Sequence, residues 1–213
     1  MSFAAARRRM VERQLRARGI EDARVLAAMA AVPREEFVEE SLRGRAYADS
    51  ALPIAEEQTI SQPWIVAAIC QALQLTGSEL VLEVGTGSGY SAAVLSRLAD
   101  HVVSVERHQA LSRSAAEALR SLGIGNVELV VGDGSLGVPE QAPYDAIACH
   151  ATAPAPPSAL LEQLVDGGRL VLPLASEQAD MLSLLRRRGE SYEHQKIAPC
   201  RFVPLIGREG FSS

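Results

Sequence analysis

The segment Glu83-Val84-Gly85-Thr86-Gly87-Ser88-Gly89-Tyr90 puts a carboxylate and three glycines within eight residues. Glycines after a short apolar run let the backbone approach a ligand closely, with N–H groups directed at it. A dinucleotide turn needs G-x-G-x-x-G, whose third glycine lets the following helix pack. Gly85 and Gly87 suit the first two positions, but Tyr90 stands at the third. The pattern present suits a cofactor with no pyrophosphate and with an amino-acid end, whose ammonium group can use acidic or carbonyl partners. Alone, such a loop is equally well a tight turn. Glu106 ends a second apolar run about twenty residues on, where a carboxylate can accept both hydroxyls of a ribose. Asp133, between Gly132 and Gly134 after a third run, can reach an adenine edge. Each acid also has a plain reading, as a solvated strand end or a turn aspartate. Three such strand ends in order point instead to one nucleoside-bearing cofactor. The residues assigned to it are Glu83, Gly85, Thr86, Gly87, Ser88, Gly89, Tyr90, Glu106, Asp133 and Gly134.

These groups require strands that end beside one another. Leu80–Val84, His101–Glu106, Asn126–Val131, Tyr144–Cys149 and Arg169–Leu174 read as strands, and Ala92–Leu98, Ala110–Leu122 and Ser158–Leu164 as helices between them. Strands alternating with helices imply parallel pairing through crossovers. Met181–Arg187 and Ser191–Pro204 can pair across Arg188-Gly189-Glu190, an antiparallel end to the sheet. Upstream, a polar helix stops at Gly19, Asp22 caps a second helix that Pro33 ends, and a looser segment runs to Ile60. Ser61 stands before Gln62-Pro63-Trp64, where an N-cap and an early proline belong, ahead of a helix carrying Ile65, Val66, Ile69 and Leu73. The chain is expected to be a single domain over 1–213, with a helical N-terminal extension (1–78) contributing to the substrate side and a cofactor-binding core with the C-terminal strands (79–213).

The totals exclude some roles. A net charge of −5 argues against a chain whose main task is holding nucleic acid, which needs a basic surface. Arg7-Arg8-Arg9 reads as a solvated helix face. No apolar stretch reaches the roughly 18 residues of a membrane span, and the arginines near the start are not followed by a signal-peptide core. Three cysteines without a CxxC pair favour a reducing compartment and no structural metal. A cytoplasmic, metal-free monomer that binds neither nucleic acid nor membrane is expected.

With Val32-Pro33-Arg34-Glu35-Glu36-Phe37-Val38 as the first of its carrying segments, the chain resembles the protein-L-isoaspartate O-methyltransferase family almost from end to end. The likeness continues through Ala46-Tyr47-Ala48-Asp49, Gln58-Thr59-Ile60-Ser61-Gln62-Pro63, the Glu83–Tyr90 loop, Gly132-Asp133-Gly134, Ala142-Pro143-Tyr144-Asp145 and Arg201-Phe202-Val203-Pro204-Leu205. The Gln-Thr-Ile-Ser-Gln-Pro and Arg-Phe-Val-Pro-Leu strings are more specific than the glycine loop, which many methyltransferases share. The resemblance implies a Rossmann-like S-adenosylmethionine-dependent methyltransferase: an α/β fold with a doubly wound, mostly parallel sheet, an antiparallel C-terminal strand and a helical N-terminal extension. It implies methylation of the free carboxyl of isoaspartyl residues in damaged peptides and proteins. The ester then closes to a succinimide whose hydrolysis returns some normal aspartate. Ser61 takes the catalytic role by the same likeness, as a positioning donor, and Gln58, Thr59 and Ile60 fall on the substrate side. A carboxylate acceptor is already ionised at neutral pH, so no general base or nucleophilic triad is called for.

The chain departs from that pattern at three places. Ala55 and Glu57 stand where the family usually has glycines, with Glu56 between them; Cys149-His150-Ala151-Thr152 replaces the usual Val-Thr-Ala-Ala; and Ala175 replaces a glycine. Two glutamates beside an anion pocket would repel its ligand unless they face solvent or are paired. His150 at a strand end could be substrate-binding, even a general base for a hydroxyl or amine acceptor. The alternative is therefore a paralogous S-adenosylmethionine-dependent O-methyltransferase acting on a different carboxylate or a small molecule.

Overall fold

The computed structural model describes residues 2–212. Three helices and a small hairpin come first: α1 (Phe3–Met10), α2 (Ala23–Ala31), β1 (Leu52–Pro53), β2 (Thr59–Ile60) and α3 (Pro63–Leu73). Asp22 caps α2, its Oδ1 accepting from the amides of Arg24 and Val25 at 2.8 and 3.2 Å. The alternating core follows as β3 (Leu80–Val84), α4 (Tyr90–Leu95), β4 (His101–Glu106), α5 (Gln109–Ser121), β5 (Val127–Val131), β6 (Tyr144–Cys149), α6 (Ser158–Glu162), β7 (Leu164–Leu174), β8 (Asp180–Arg188) and β9 (Ser191–Cys200).

The large sheet has the order β5-β4-β3-β6-β7-β8-β9. Its first five members are parallel, whereas β8 and β9 run antiparallel to their neighbours. The parallel strands lie between two apolar layers, one built with α1, α2, α3 and α4, the other with α6 and the C-terminal segment. Burial on both faces is why β3 and β4 are nearly uninterrupted apolar runs. Strand order reverses between β3 and β6, and a sheet of this kind opens its ligand crevice at that switch point, beyond the carboxyl ends of the strands.

Arg7 corrects the expectation of a solvated arginine run. Its guanidinium donates to the Ala31 carbonyl at 2.8 Å and lies 3.4 Å from Glu35, whose other oxygen accepts from the Tyr47 hydroxyl. Arg8 and Arg9 are exposed. α1 packs across residues 31–47, so its inward arginine finds acceptors there. Arg34 is fully buried, donates from Nε to the Ala46 carbonyl at 2.7 Å and stacks 4.8 Å above the Tyr90 ring. Burial pulls its pKa down to about 10. The N-terminal segment is thereby joined to the first residue of α4.

Glu79 folds the turn entering β3. Burial opposes its charge, but the hydroxyl and amide of Thr76 and the amide of Gly77, all at 2.8 Å, overcome that and hold the carboxyl down at about 2. A carboxyl depressed in the folded state stabilises above its unfolded value, roughly 4.3, and loses that contribution as pH falls toward 2. Between pH 6 and pH 2.5 the parent should therefore lose on the order of 2 kcal/mol more stability than Glu79→Gln. Urea titrations at the two pH values check this; equal losses would contradict it.

Candidate active site

A cavity of about 800 Å³ opens at the carboxyl ends of β3 and β4, beside the switch point. The glycine loop forms its floor. Gly85 donates to the Val105 carbonyl and Gly89 to the Thr86 carbonyl, both at 2.9 Å. Gly89 sits at φ +86°, and a β-carbon there would lie 3.0 Å from that of Ala115 on α5. At Gly134 a β-carbon would lie 2.6 Å from a Val84 methyl, so only hydrogen fits.

Glu106 borders this cavity. Its Oε2 accepts from the Gly87 amide and its Oε1 from the His108 amide, each at 2.9 Å. The carboxylate is thus immobilised at the end of β4 with a lone pair on each oxygen to spare. Glu83 lies beneath the loop, fully buried, and does not border the cavity. It accepts from Ser104 at 2.5 Å, and Ser104 in turn lies 2.6 Å from Thr86. Tyr90 borders the cavity, but its ring packs into the core, edge-on to Phe37 at 5.6 Å and beneath Arg34. Gly85, Thr86, Gly87 and Ser88 line the wall as expected, whereas Gly89 sits behind it.

Asp133 is placed differently from the sequence expectation. Its Oδ1 accepts from the amide and hydroxyl of Ser135 at 2.9 and 2.7 Å, and its Oδ2 from the Arg208 amide at 2.8 Å. Burial opposes its charge, but these bonds hold the carboxyl below the usual range. It ties the C-terminal segment down, while Gly134 is the member of this pair that reaches the cavity wall.

Gln58, Thr59, Ile60 and Ser61 close the opposite wall. Ser61 is not the cap of α3; Gln62 occupies that position, with Pro63 in the first turn. The Gln62 amide instead donates to Asp49 at 2.7 Å. Among the described residues the Ser61 hydroxyl makes no hydrogen bond, which leaves it available to a ligand. A second cavity of about 760 Å³, walled by Arg18, Trp64, Arg201 and Phe202, shares Thr59, Ser61, His150 and Val203 with the first. The two spaces meet at Ser61 and His150.

Of the three departures only the one after β6 faces ligand space. Glu56 and Glu57 are exposed at the tip of the β1–β2 hairpin, and Glu56 lies 3.5 Å from His108 Nδ1. Ala175 is exposed and away from both cavities. The glutamates therefore do not repel an anion in the site, but each holds φ +56°, where a side chain is strained. Glu57→Gly should raise stability by about 0.5–1 kcal/mol, roughly 2 °C in Tm. Calorimetric melting checks this; a lowered Tm would contradict it. His150 turns inward: Nε2 lies 2.8 Å from the Ser91 hydroxyl and 3.3 Å from Glu83 Oε1.

Sequence reasoning did not assign Ser91, Ser104, Arg107 or His108 to this region, and none of them carries a motif. The Val203–Ile206 segment also lines the first cavity. It is held there by the Thr152 amide donating to Val203 and the Leu205 amide to Thr152, at 2.8 and 2.7 Å. The specificity of the Arg-Phe-Val-Pro-Leu string was the available signal for it.

A doubly wound sheet with a glycine loop, an immobilised strand-end glutamate and a cavity at the switch point defines a Rossmann-like methyltransferase. The sequence model of the protein-L-isoaspartate(D-aspartate) O-methyltransferase family matches residues 6–210. Protein-L-isoaspartate O-methyltransferase 1 of Rhodopseudomonas palustris is 53% identical over 214 residues, covering 100% of this chain and 87% of that protein. Protein-L-isoaspartate O-methyltransferase of Herpetosiphon aurantiacus is 53% identical over 205 residues, covering 96% and 92%. A solved protein-L-isoaspartate O-methyltransferase aligns with TM-score 0.87 at 32% identity, over 96% of this chain and 67% of the other. The chain belongs to the protein-L-isoaspartate O-methyltransferase family.

Proposed function

We propose that the chain transfers the methyl group of S-adenosylmethionine to the free carboxyl of isoaspartyl residues in damaged proteins. One observation carries the reading: a cavity built around Glu106 meets a second, solvent-facing cavity at an uncommitted hydroxyl, that of Ser61. The first suits the cofactor. Gly134, where no side chain fits, lets the wall stay flat against a nucleoside, and the two free lone pairs of Glu106 suit ribose hydroxyls. Gly85, Thr86, Gly87, Ser88, Tyr90 and Gly134 line the remainder, while Glu83 and Gly89 support the loop and Asp133 braces the wall from behind. When bound, the cofactor supplies an electrophilic methyl group on a sulfonium centre.

The chain's own residues align and desolvate. An isoaspartyl carboxylate, with an ordinary pKa of roughly 3.5 to 4, is ionised at neutral pH and needs no proton removed. Ser61 donates to one of its oxygens and fixes the direction of the other. Gln58, Thr59, Ile60 and Val203 surround that point and exclude water, which raises the carboxylate's nucleophilicity. On this reading residues 1–78 contribute to the substrate side and residues 79–213 hold the cofactor. The reading also places the protein in the cytoplasm as a monomer without nucleic-acid or membrane partners. The net charge of −5 argues against a nucleic-acid partner. Among the described residues no helix is long and apolar enough to cross a membrane.

Prolonged incubation of an isoaspartyl peptide with the protein and S-adenosylmethionine should convert part of it to the aspartyl form through a succinimide, followed by chromatography. No conversion beyond that without protein would contradict repair.

A further inference from the structure

His150 stands where the two cavities meet, yet neither ring nitrogen is offered to an acceptor. Nε2 is engaged by Ser91 at 2.8 Å and faces Glu83 Oε1 at 3.3 Å; Nδ1 is closed to solvent and has no hydrogen-bond partner among the described residues. The backbone of His150 donates to the Val84 carbonyl at 2.8 Å, and a β-carbon on Gly85 would lie 3.5 Å from that of His150. Glu83 precedes the glycine loop and Ser91 follows it. The imidazole therefore touches both ends of the loop, linking the carboxyl end of β3 to the first turn of α4.

The buried carboxylate needs that contact. Glu83 is fully buried, and among the described residues its Oε1 has no hydrogen bond, so the imidazole 3.3 Å away is the polar group that faces it. Burial pushes the Cys70 thiol of α3 far up, and the charge of Glu83 adds to it, which keeps the thiol protonated. From the C-terminal segment the Phe202 ring faces the imidazole at 6.5 Å between centroids.

We propose that His150 is a positioning residue for the cofactor loop: through Ser91 and Glu83 it fixes the loop in the shape that receives S-adenosylmethionine, and it is not the base or the ligand of the acceptor. The inference rests on the methyl-transfer reading of the same site. A loop held in its bound shape spends less binding energy on ordering.

Calorimetry with S-adenosylhomocysteine, alongside steady-state kinetics on an isoaspartyl peptide, tests it. His150→Leu should bind the nucleoside about tenfold more weakly, with kcat at saturating cofactor and KM for peptide within about threefold of the parent. His150→Gln, which restores a donor toward Ser91 and Glu83, should recover at least about half of that loss on a logarithmic scale. Ser91→Ala breaks one end of the link without stranding the carboxylate, and should weaken binding about threefold even if the leucine variant fails to fold. Parent-like nucleoside affinity in the leucine variant, or in Ser91→Ala should that variant not fold, overturns the inference. So does a loss confined to peptide KM or to kcat. If the parent itself fails to bind S-adenosylhomocysteine, the methyl-transfer reading falls and the inference with it.

Discussion

Glu106→Ala is expected to weaken S-adenosylhomocysteine binding by about two orders of magnitude, the largest effect of any single change in the site. The substitution removes two things. It takes away the carboxylate offered to the ribose hydroxyls, and charge-assisted hydrogen bonds of that kind contribute roughly 1.5–3 kcal/mol each. It also leaves the amides of Gly87 and His108 without the acceptor they share at 2.9 Å, which loosens the loop from below. Glu106→Gln separates the contributions: its carbonyl can still accept from one amide and one hydroxyl, so an intermediate loss is expected. Calorimetry on both variants, with melting curves to confirm folding, measures the effect. Unchanged affinity in the alanine variant would refute the assignment of Glu106 to the ribose.

Ser61→Ala should act on the other half of the reaction. Among the described residues its hydroxyl makes no hydrogen bond, so removing it strands no partner there and costs little stability. Its loss should lower kcat/KM for an isoaspartyl peptide about 10- to 100-fold, as removal of a donor that orients the reacting carboxylate does. Nucleoside affinity should stay within about twofold, because the cofactor's anchors lie across the cavity. Opposite patterns in the two variants would divide the site into a nucleoside side and an acceptor side. A Ser61→Ala enzyme with parental kcat/KM would remove the serine from the mechanism.

The parallel half of the fold was legible because its strands are buried on both faces. β3, β4 and β6 begin and end at Leu80–Val84, His101–Glu106 and Tyr144–Cys149, the limits their apolar runs suggest. β7 was less so. It begins at Leu164 rather than Arg169, because Gly167 at φ +77° and a register shift opposite Tyr144 and Ala146 interrupt a strand that continues past them. The β1–β2 hairpin was unreadable for a chemical reason: turns of this shape advertise themselves with Asn-Gly or Gly-Gly, and here Glu56-Glu57 hold them. Within the site, spacing was enough to put Glu106 at the cavity, since its partners lie in its own loop and the adjacent one. It did not suffice for Asp133, captured by Arg208 from far along the chain, or for His150, whose direction depends on Glu83 and Ser91. Ser61 lost the capping role because Pro63 takes the first helical position and shifts the cap to Gln62.

Methylation of an isoaspartyl carboxyl is tested most directly by the label itself. The protein is incubated with methyl-labelled S-adenosylmethionine and a matched pair of peptides that differ only in one isoaspartyl or aspartyl linkage, and base-labile radioactivity is counted. Label on the isoaspartyl peptide and none above background on its aspartyl twin is the predicted result. Equal labelling of the two, or none on either from a protein that binds S-adenosylhomocysteine, would contradict it.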